Sequence, residues 1–167
     1  MNDTHGAFFN YQDFRENLKQ SLPQPRIWNT AALDRIRGEF IGTEVDTVAL
    51  ATGDSIHCCE VVAGMAMAMQ WLEPGHTMQG HRHSWWHLFI IQKGLGELVI
   101  GNRDPLPISA GDVLLIPAWT DHGFANTSST EPLSMLNLSN MPQVSALANF
   151  LPSVPSTREQ PDCPSVA

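Results

Sequence analysis

Residues 75–94 read GHTMQGHRHSWWHLFIIQKG, and the spacing of the histidines in this stretch decides how the chain is interpreted. His81 and His83 are two residues apart, so on a β-strand both rings lie on the same face. His87 follows four residues later, a separation that allows the chain to turn and to bring a third ring back towards the first two. We therefore predict a histidine cluster on the inner face of a sheet.

The sequence on both sides of this stretch is typical of short strands. Residues 65–71, MAMAMQW, alternate large and small side chains with a period of two, and residues 86–92 are apolar at nearly every position. Turn signals recur at residues 101–104, 110–112 and 126–129, and each is followed by another short apolar run. The chain is therefore predicted to be all-β, an antiparallel barrel or sandwich.

The chain divides into an N-terminal arm over residues 1–44, a barrel over residues 45–140 and a Pro-rich C-terminal tail over residues 141–167. Two short helices are predicted in the arm, at Tyr11–Leu18 and at Thr30–Arg37. The second is capped at Asn29 or at its own first residue, and it closes at Gly38. The tail begins with a predicted helical turn near Val144–Phe150, and its later prolines predict no regular structure beyond that turn.

Composition and charge exclude several classes of function. The 167 residues carry 17 acidic and 9 basic side chains, a formal net charge of -8, so nucleic acid and an anionic membrane surface are poor partners. No run of residues approaches the ~20 apolar positions of a membrane span, and no secretory leader is recognised. Three cysteines without a disulfide pattern favour a cytoplasmic protein. The predicted strand at residues 86–92 and the arm both carry apolar surface that must be buried against another surface, which favours a homodimer.

His122 comes from a separate predicted strand, as a chelating metal site requires. Borderline divalent metals favour neutral imidazole, and several rings on a rigid barrel bind such an ion far better than one ring. A single buried histidine is usually a core residue with satisfied hydrogen bonds, but four in this arrangement favour a metal centre. The predicted ligands of one divalent transition metal are His81, His83, His87 and His122.

The residues around these histidines resemble the two sequence motifs of the cupin family. The first motif is matched by Gly75, His81, His83 and Gly94, and the second by Gly111, Pro117, His122 and Asn126. The resemblance implies a double-stranded jelly roll with a central metal, and it carries ligand roles to His81, His83 and His122. His87 stands where cupins have a glutamate ligand, so it either binds the metal or only lines the pocket. Trp119 stands where the second motif has glycine.

Within the cupins, residues 116–122, IPAWTDH, and residues 136–142 resemble the gentisate, salicylate and hydroxynaphthoate ring-cleaving dioxygenases. Those proteins are bicupins whose iron is held by three histidines, and this chain resembles one half of them. The resemblance implies a nonhaem Fe(II) dioxygenase acting on a small aromatic or enolisable acid, with Zn, Ni, Cu or Mn as alternative metals. Two other hypotheses are a redox-neutral Zn or Ni Lewis-acid cyclase, isomerase or lyase, and a cupin that binds a metal or small ligand without chemistry.

Side chains that share a face with the histidines are predicted to line a small-molecule pocket or simply to fill the barrel. The predicted wall residues are Gln70, Gln79, Phe89, Ile91, Phe124 and Asn126. The methionines of residues 65–71 are the alternative to Gln70. Trp85 and Trp119 either cap the pocket mouth or pack against the arm or a second subunit. Because neutral rings leave a divalent ion its full charge, the predicted substrate is an anionic or metal-chelating small molecule.

Overall fold

The computed structural model describes residues 10–20, 25–40, 46–54, 56–147 and 154–155. Its helices are α1 (Tyr11–Gln20), α2 (Thr30–Phe40) and α3 (Met141–Ala146), with a short 3-10 helix at Ile56–Cys59. Its strands are β1 (Asp46–Ala49), β2 (Glu60–Val62), β3 (Met65–Leu72), β4 (Thr77–Arg82), β5 (His87–Lys93), β6 (Leu95–Ile100), β7 (Leu106–Ser109), β8 (Val113–Ile116), β9 (His122–Asn126), β10 (Leu133–Ser139) and β11 (Val154–Pro155). No helix in these ranges is long and apolar enough to cross a membrane.

The strands form two antiparallel sheets. The first sheet has the order β1-β3-β10-β5-β8, with β2 added beside β3, and the second has the order β11-β4-β9-β6-β7. β10 lies between β3 and β5, so the longest strands of the first sheet are joined by pairings between distant parts of the sequence. This arrangement is a jelly roll, and it confirms the predicted all-β antiparallel fold.

The core lies between the two sheets and takes side chains from both. Phe89 and Ile91 of β5 pack with Phe124 of β9 and with Leu133 and Met135 of β10. The rings of Phe89 and Phe124 meet edge to face, with their centroids 5.0 Å apart. Burying these large apolar side chains is the main favourable contribution to folding of the barrel.

The register of the first sheet decides which face of β3 turns inward. Gln70 lies opposite Met135, and Met135 lies opposite the buried Ile91, so the three form one inward row. Ala68 lies opposite Asn137 in the next inward row. Of the two faces that the sequence left open, the one that carries Gln70 therefore faces the interior.

The methionine face of β3 is covered from outside by the arm. Trp28 and Leu33 pack in one apolar cluster with Met69 and Trp71. Asn29 caps α2, because its side-chain oxygen accepts the main-chain N–H of Ala32 at 2.9 Å. The predicted arm helices are therefore present, and one of them is held against the sheet by its apolar side.

Three local predictions differ from the structure. α2 continues through Gly38 to Phe40, and the helix after the barrel begins at Met141 rather than near Val144. The prediction of no regular structure in the late tail is wrong at Val154–Pro155, which pairs with β4. Proline is tolerated there because this strand lies at an edge of its sheet. The other late tail residues lie outside the described ranges, and the boundaries of arm, barrel and tail stay predictions.

The edge strand β8 presents an apolar face to solvent. Val113 and Leu115 are 61% and 67% exposed, and they lie opposite Ile90 and Leu88 of β5. A patch of this kind is a candidate surface for the predicted second copy of the chain. The homodimer itself stays a prediction.

The pairing of β4 with β9 is irregular, and the irregularity changes which side chains face the core. Met78 lies opposite Phe124 and His81 lies opposite His122, with a register shift between Met78 and His81. Met78 packs against the core, whereas Gln79 is exposed. A register shift of this kind breaks the period of two. Gln79 therefore does not share the inward face of His81, contrary to the prediction.

Gly123 permits the close approach of β9 to β4. A Cβ atom added at Gly123 would lie 2.7 Å from the main-chain oxygen of Met78 and 3.1 Å from the nitrogen of Gly80. We expect Gly123→Ala to lower the free energy of unfolding by about 1–3 kcal/mol, because backbone rather than a flexible side chain must move. Urea unfolding followed by circular dichroism measures this change.

The matched control for this substitution is Gly38→Ala in α2, where an added Cβ meets no atom within 4 Å. This variant should be as stable as the wild type or more stable by up to about 1 kcal/mol, because alanine is the better helix former. If both alanine variants unfold at the wild-type urea concentration, the close β4–β9 contact is contradicted.

Candidate metal centre

Three histidines converge where β4 and β9 run side by side. His81 lies in β4, His122 begins β9 directly opposite it, and His83 follows the end of β4. One ring nitrogen of each histidine lies within 4.8 Å of the corresponding nitrogen of the other two. His83 and His122 are buried and His81 is half-buried. The structure thus brings together the three histidines to which the sequence resemblance assigned ligand roles.

Each of these rings is oriented by a main-chain carbonyl two residues away. The Nδ1–H groups of His81, His83 and His122 donate to the carbonyl oxygens of Gln79, Trp85 and Thr120, at 2.9, 3.0 and 2.9 Å. In a neutral imidazole, a proton on Nδ1 leaves the lone pair on Nε2. This is the arrangement that orients metal-binding histidines, because the hydrogen bond fixes both tautomer and ring direction.

His87 reaches the same place from the first sheet, but its Nε2 is already engaged. Its Nδ1–H donates to Oδ1 of Asn137 at 2.7 Å, so its lone pair also lies on Nε2. That Nε2 accepts the indole N–H of Trp85 at 3.1 Å and lies 2.9 Å from Nε2 of His83. The structure therefore places His87 beside the three-histidine group, and ligation by His87 stays a prediction.

Trp85 is part of the histidine cluster. It is buried, and its ring stacks on that of His83 with the centroids 4.0 Å apart and the planes 1° from parallel. Its place at a pocket mouth, or against the arm or a second subunit, stays a prediction. Trp119, by contrast, is 43% exposed, and its place at a mouth stays a prediction.

Burial keeps three rings of the cluster uncharged at neutral pH. Removal from water, reinforced by the neighbouring rings, lowers the pKa of His83 and the pKa of His122 to about 4 and the pKa of His87 to about 3. Removal from water is the largest cause in each case. All three rings are therefore neutral at pH 7, and no proton occupies the lone pairs that face the cluster.

The donor set fits a divalent transition metal. Neutral imidazole suits Fe, Ni, Cu and Zn, whereas Mg and Ca prefer oxygen ligands. The rings of His81 and His122 are 4.6 Å apart and those of His83 and His122 are 5.2 Å apart, so the three rings lie close together. Three protein ligands would leave further coordination positions of such an ion open.

The predicted wall residues fall into two groups. Phe89, Ile91 and Phe124 are buried beside the cluster, and the rings of Phe89 and His87 are 5.1 Å apart. Gln70 faces inward, and its buried Oε1 makes no hydrogen bond within the described part of the chain. These residues form the apolar and amide surroundings that the sequence predicted, and their contact with a substrate stays a prediction.

Asn126 is engaged in holding the barrel loops. Its Nδ2 donates to the carbonyl oxygens of Leu72 and Glu131, both at 2.8 Å, and its Oδ1 accepts the N–H of Ser128. With these three bonds the amide has little capacity left for a ligand. Asn126 therefore has a structural role, and its predicted role in the pocket stays a prediction.

Asn137 is the residue of the cluster that sequence reasoning missed. It is buried on β10, opposite Phe89, and it binds His87. A signal was present, since Asn137 follows the apolar residues Leu133 and Met135 on the inward face of its strand. A buried amide in such a strand needs a polar partner, but the sequence does not say which.

The lowered pKa values make the stability of the metal-free protein depend on pH. Unfolded histidines have a pKa near 6.5, so the unfolded chain binds more protons than the folded chain as pH falls below that value. The free energy of unfolding should be at its full value above about pH 6.5 and should fall by about 2 kcal/mol per ring between pH 7 and pH 5. Urea unfolding with a chelator at both pH values measures this loss.

Two variants test the source of that pH dependence. His87→Gln removes one titrating ring and should reduce the loss by about 2 kcal/mol, on the same linkage argument. His76→Gln changes an exposed ring outside the cluster and should leave the loss unchanged. Equal wild-type stability at pH 7 and pH 5 is the result that contradicts a buried, neutral cluster.

Comparison with known proteins identifies relatives of this sequence and fold. The cupin-domain family model matches residues 68–139. A gentisate 1,2-dioxygenase of a Streptomyces species is 33% identical over 154 residues, which cover 86% of this chain and 43% of the relative. A 1-hydroxy-2-naphthoate 1,2-dioxygenase of a Nocardioides species is 28% identical over 105 residues, 63% of this chain and 27% of the relative. The chain spans less than half the length of these curated relatives.

Among solved structures, the salicylate 1,2-dioxygenase of Pseudaminobacter salicylatoxidans superposes with a TM-score of 0.72. The match covers 92% of this chain and 49% of that protein, at 22% sequence identity. Similarity at that level shows the fold, and the family model together with the motif spacing agrees with it. The jelly roll of this chain has the cupin fold, and its residues 68–139 match the cupin-domain family model.

Proposed function

We propose that this chain is a metal-dependent cupin enzyme that uses Fe(II) and dioxygen to oxidise a small aromatic or enolisable acid. The observation that carries the proposal is that one ring nitrogen of each of His81, His83 and His122 lies within 4.8 Å of the other two. Relatives named as gentisate and hydroxynaphthoate dioxygenases support the same chemistry. We assign the metal to these three rings.

Bound ferrous iron would supply a Lewis acid for the substrate oxygens and the electrons that activate dioxygen. The chain supplies the environment. Its rings are neutral and leave the charge of the ion uncompensated, and the apolar residues Phe89 and Phe124 lower the local dielectric constant, which strengthens attraction for a carboxylate or phenolate. The substrate class is therefore an anion that chelates metals.

The three-histidine set also determines how many external ligands the site accepts. An octahedral ion with three protein ligands leaves three positions open, whereas four protein ligands leave two. A substrate that chelates through two oxygens needs the larger number if dioxygen is to approach as well. In ring cleavage of this type both oxygen atoms enter the product, so the reaction needs no external reductant.

Metal binding tests the ligand assignment. Wild-type protein freed of metal should take up one equivalent of Fe(II) under anaerobic conditions. His122→Ala should weaken that binding by more than the ~10–100-fold that follows loss of a group supporting a ligand, because a ligand itself is removed. His76→Ala, at an exposed histidine outside the cluster, should bind like the wild type. Equal affinities for all three proteins contradict the site.

Oxygen uptake tests the reaction. Iron-loaded protein should consume one dioxygen per substrate when gentisate, salicylate and 1-hydroxy-2-naphthoate are screened, and isotopically labelled dioxygen should place two labelled atoms in the product. His122→Ala should show no uptake above the metal-free protein, because the metal is lost. Turnover without oxygen in protein loaded with zinc or nickel would instead support the Lewis-acid hypothesis. Tight ligand binding without turnover would support a binding protein.

A further inference from the structure

Trp85 makes three contacts with the histidine cluster, two with His83 and one with His87. Its ring stacks on His83, and its main-chain carbonyl oxygen accepts the Nδ1–H of His83. Its indole Nε1–H donates to Nε2 of His87 at 3.1 Å. The first two contacts orient a ring that we assign as a metal ligand. The third occupies the lone pair of a ring that stands next to it.

That third contact matters because His87 has a single lone pair. Its Nδ1–H is fixed by Oδ1 of Asn137, so the only acceptor site of the neutral ring is Nε2. One lone pair in the ring plane accepts either a hydrogen bond or a metal bond. As long as Trp85 donates to this nitrogen, His87 is not a ligand.

His87 lies outside the group of three ligand nitrogens, but it is close to one member of that group. Its Nε2 lies 2.9 Å from Nε2 of His83. Metal–imidazole bonds of about 2.1 Å place neighbouring ligands of an octahedral ion about 3.0 Å apart, which is nearly the same separation. His87 therefore stands within reach of an ion held by His83.

We propose that Trp85 is a positioning residue that holds His87 out of the coordination sphere and so fixes the number of histidine ligands at three. To bind the metal, His87 must give up this hydrogen bond, and the buried indole N–H then loses the acceptor that His87 provides, which is unfavourable. The proposal rests on the metal centre proposed above. Its consequence is a third open position for a chelating substrate.

The decisive variant is Trp85→Phe. Phenylalanine retains an aromatic ring against His83 and the same main-chain carbonyl, and it removes the N–H that engages His87 together with part of the indole ring. We expect the freed Nε2 to bind Fe(II), so X-ray absorption should count four imidazoles in the variant and three in the wild type. The affinity for Fe(II) should rise by about tenfold or more. This is the size of change in metal affinity that follows when a group supporting a metal ligand is altered. General damage to the fold would lower affinity instead.

Two further variants keep the test decisive. The double variant Trp85→Phe/His87→Ala should return to three imidazoles and lose the gain in affinity. The single variant His87→Ala, which serves if Trp85→Phe does not fold, should keep three imidazoles and bind Fe(II) within a few-fold of the wild type. Loss of one imidazole in His87→Ala overturns the proposal.

The wild-type measurement separates this proposal from the proposed function. If wild-type protein binds no Fe(II), the metal centre itself fails. If it binds one equivalent with four imidazoles, the metal centre stands and the role of Trp85 is overturned. Three imidazoles in both the wild type and Trp85→Phe, with equal affinity, also overturn it.

Discussion

The hydrogen bonds between Nδ1–H groups and main-chain carbonyls are the interactions on which the site depends. The carbonyl of Gln79 lies within β4, and those of Trp85 and Thr120 lie in the connections before β5 and β9, so the backbone of the jelly roll itself orients the rings of the cluster. Burying a ring N–H without such a partner would destabilise the fold, because the group would leave water with no replacement acceptor. The ring would then turn towards any other acceptor. The fold therefore sets the tautomer of each histidine, and the tautomer decides where the lone pair points.

A cluster of neutral rings has a different electrostatic character from one that includes a carboxylate. With glutamate at position 87, the site would carry one negative charge of its own, whereas His87 keeps it neutral at pH 7 because burial lowers its pKa to about 3. Neutral protein ligands leave the charge of a divalent ion for the substrate to satisfy. The apolar rings of Phe89 and Phe124 strengthen that attraction by excluding water.

Local periodicity predicted the strands and the three converging histidines, because a period of two and the cupin motif spacing both depend on residues close in sequence. What depends on pairing between distant strands was not predictable. The register shift between Met78 and His81 turns Gln79 outward, and it exists only because β9 pairs with β4 there. The contact of Asn137 with His87 likewise requires β10 to lie beside β5. The bonds of Asn126 to two loops depend on the closed barrel in the same way.

The position of Trp119 shows how the site tolerates strain. The N–H of Thr120 bonds to the carbonyl of Pro117, which makes a turn with Trp119 at its third position and a φ of 65°. A residue with a Cβ pays about 1–2 kcal/mol in this left-handed region, where the cupin motif has glycine. The N–H of Trp119 donates to the carbonyl of His83 at 2.8 Å, so the strained turn is tied to a ligand-bearing segment. The turn also places the carbonyl of Thr120 on His122, and its conformation therefore orients one of the three rings while it holds the segment that carries another.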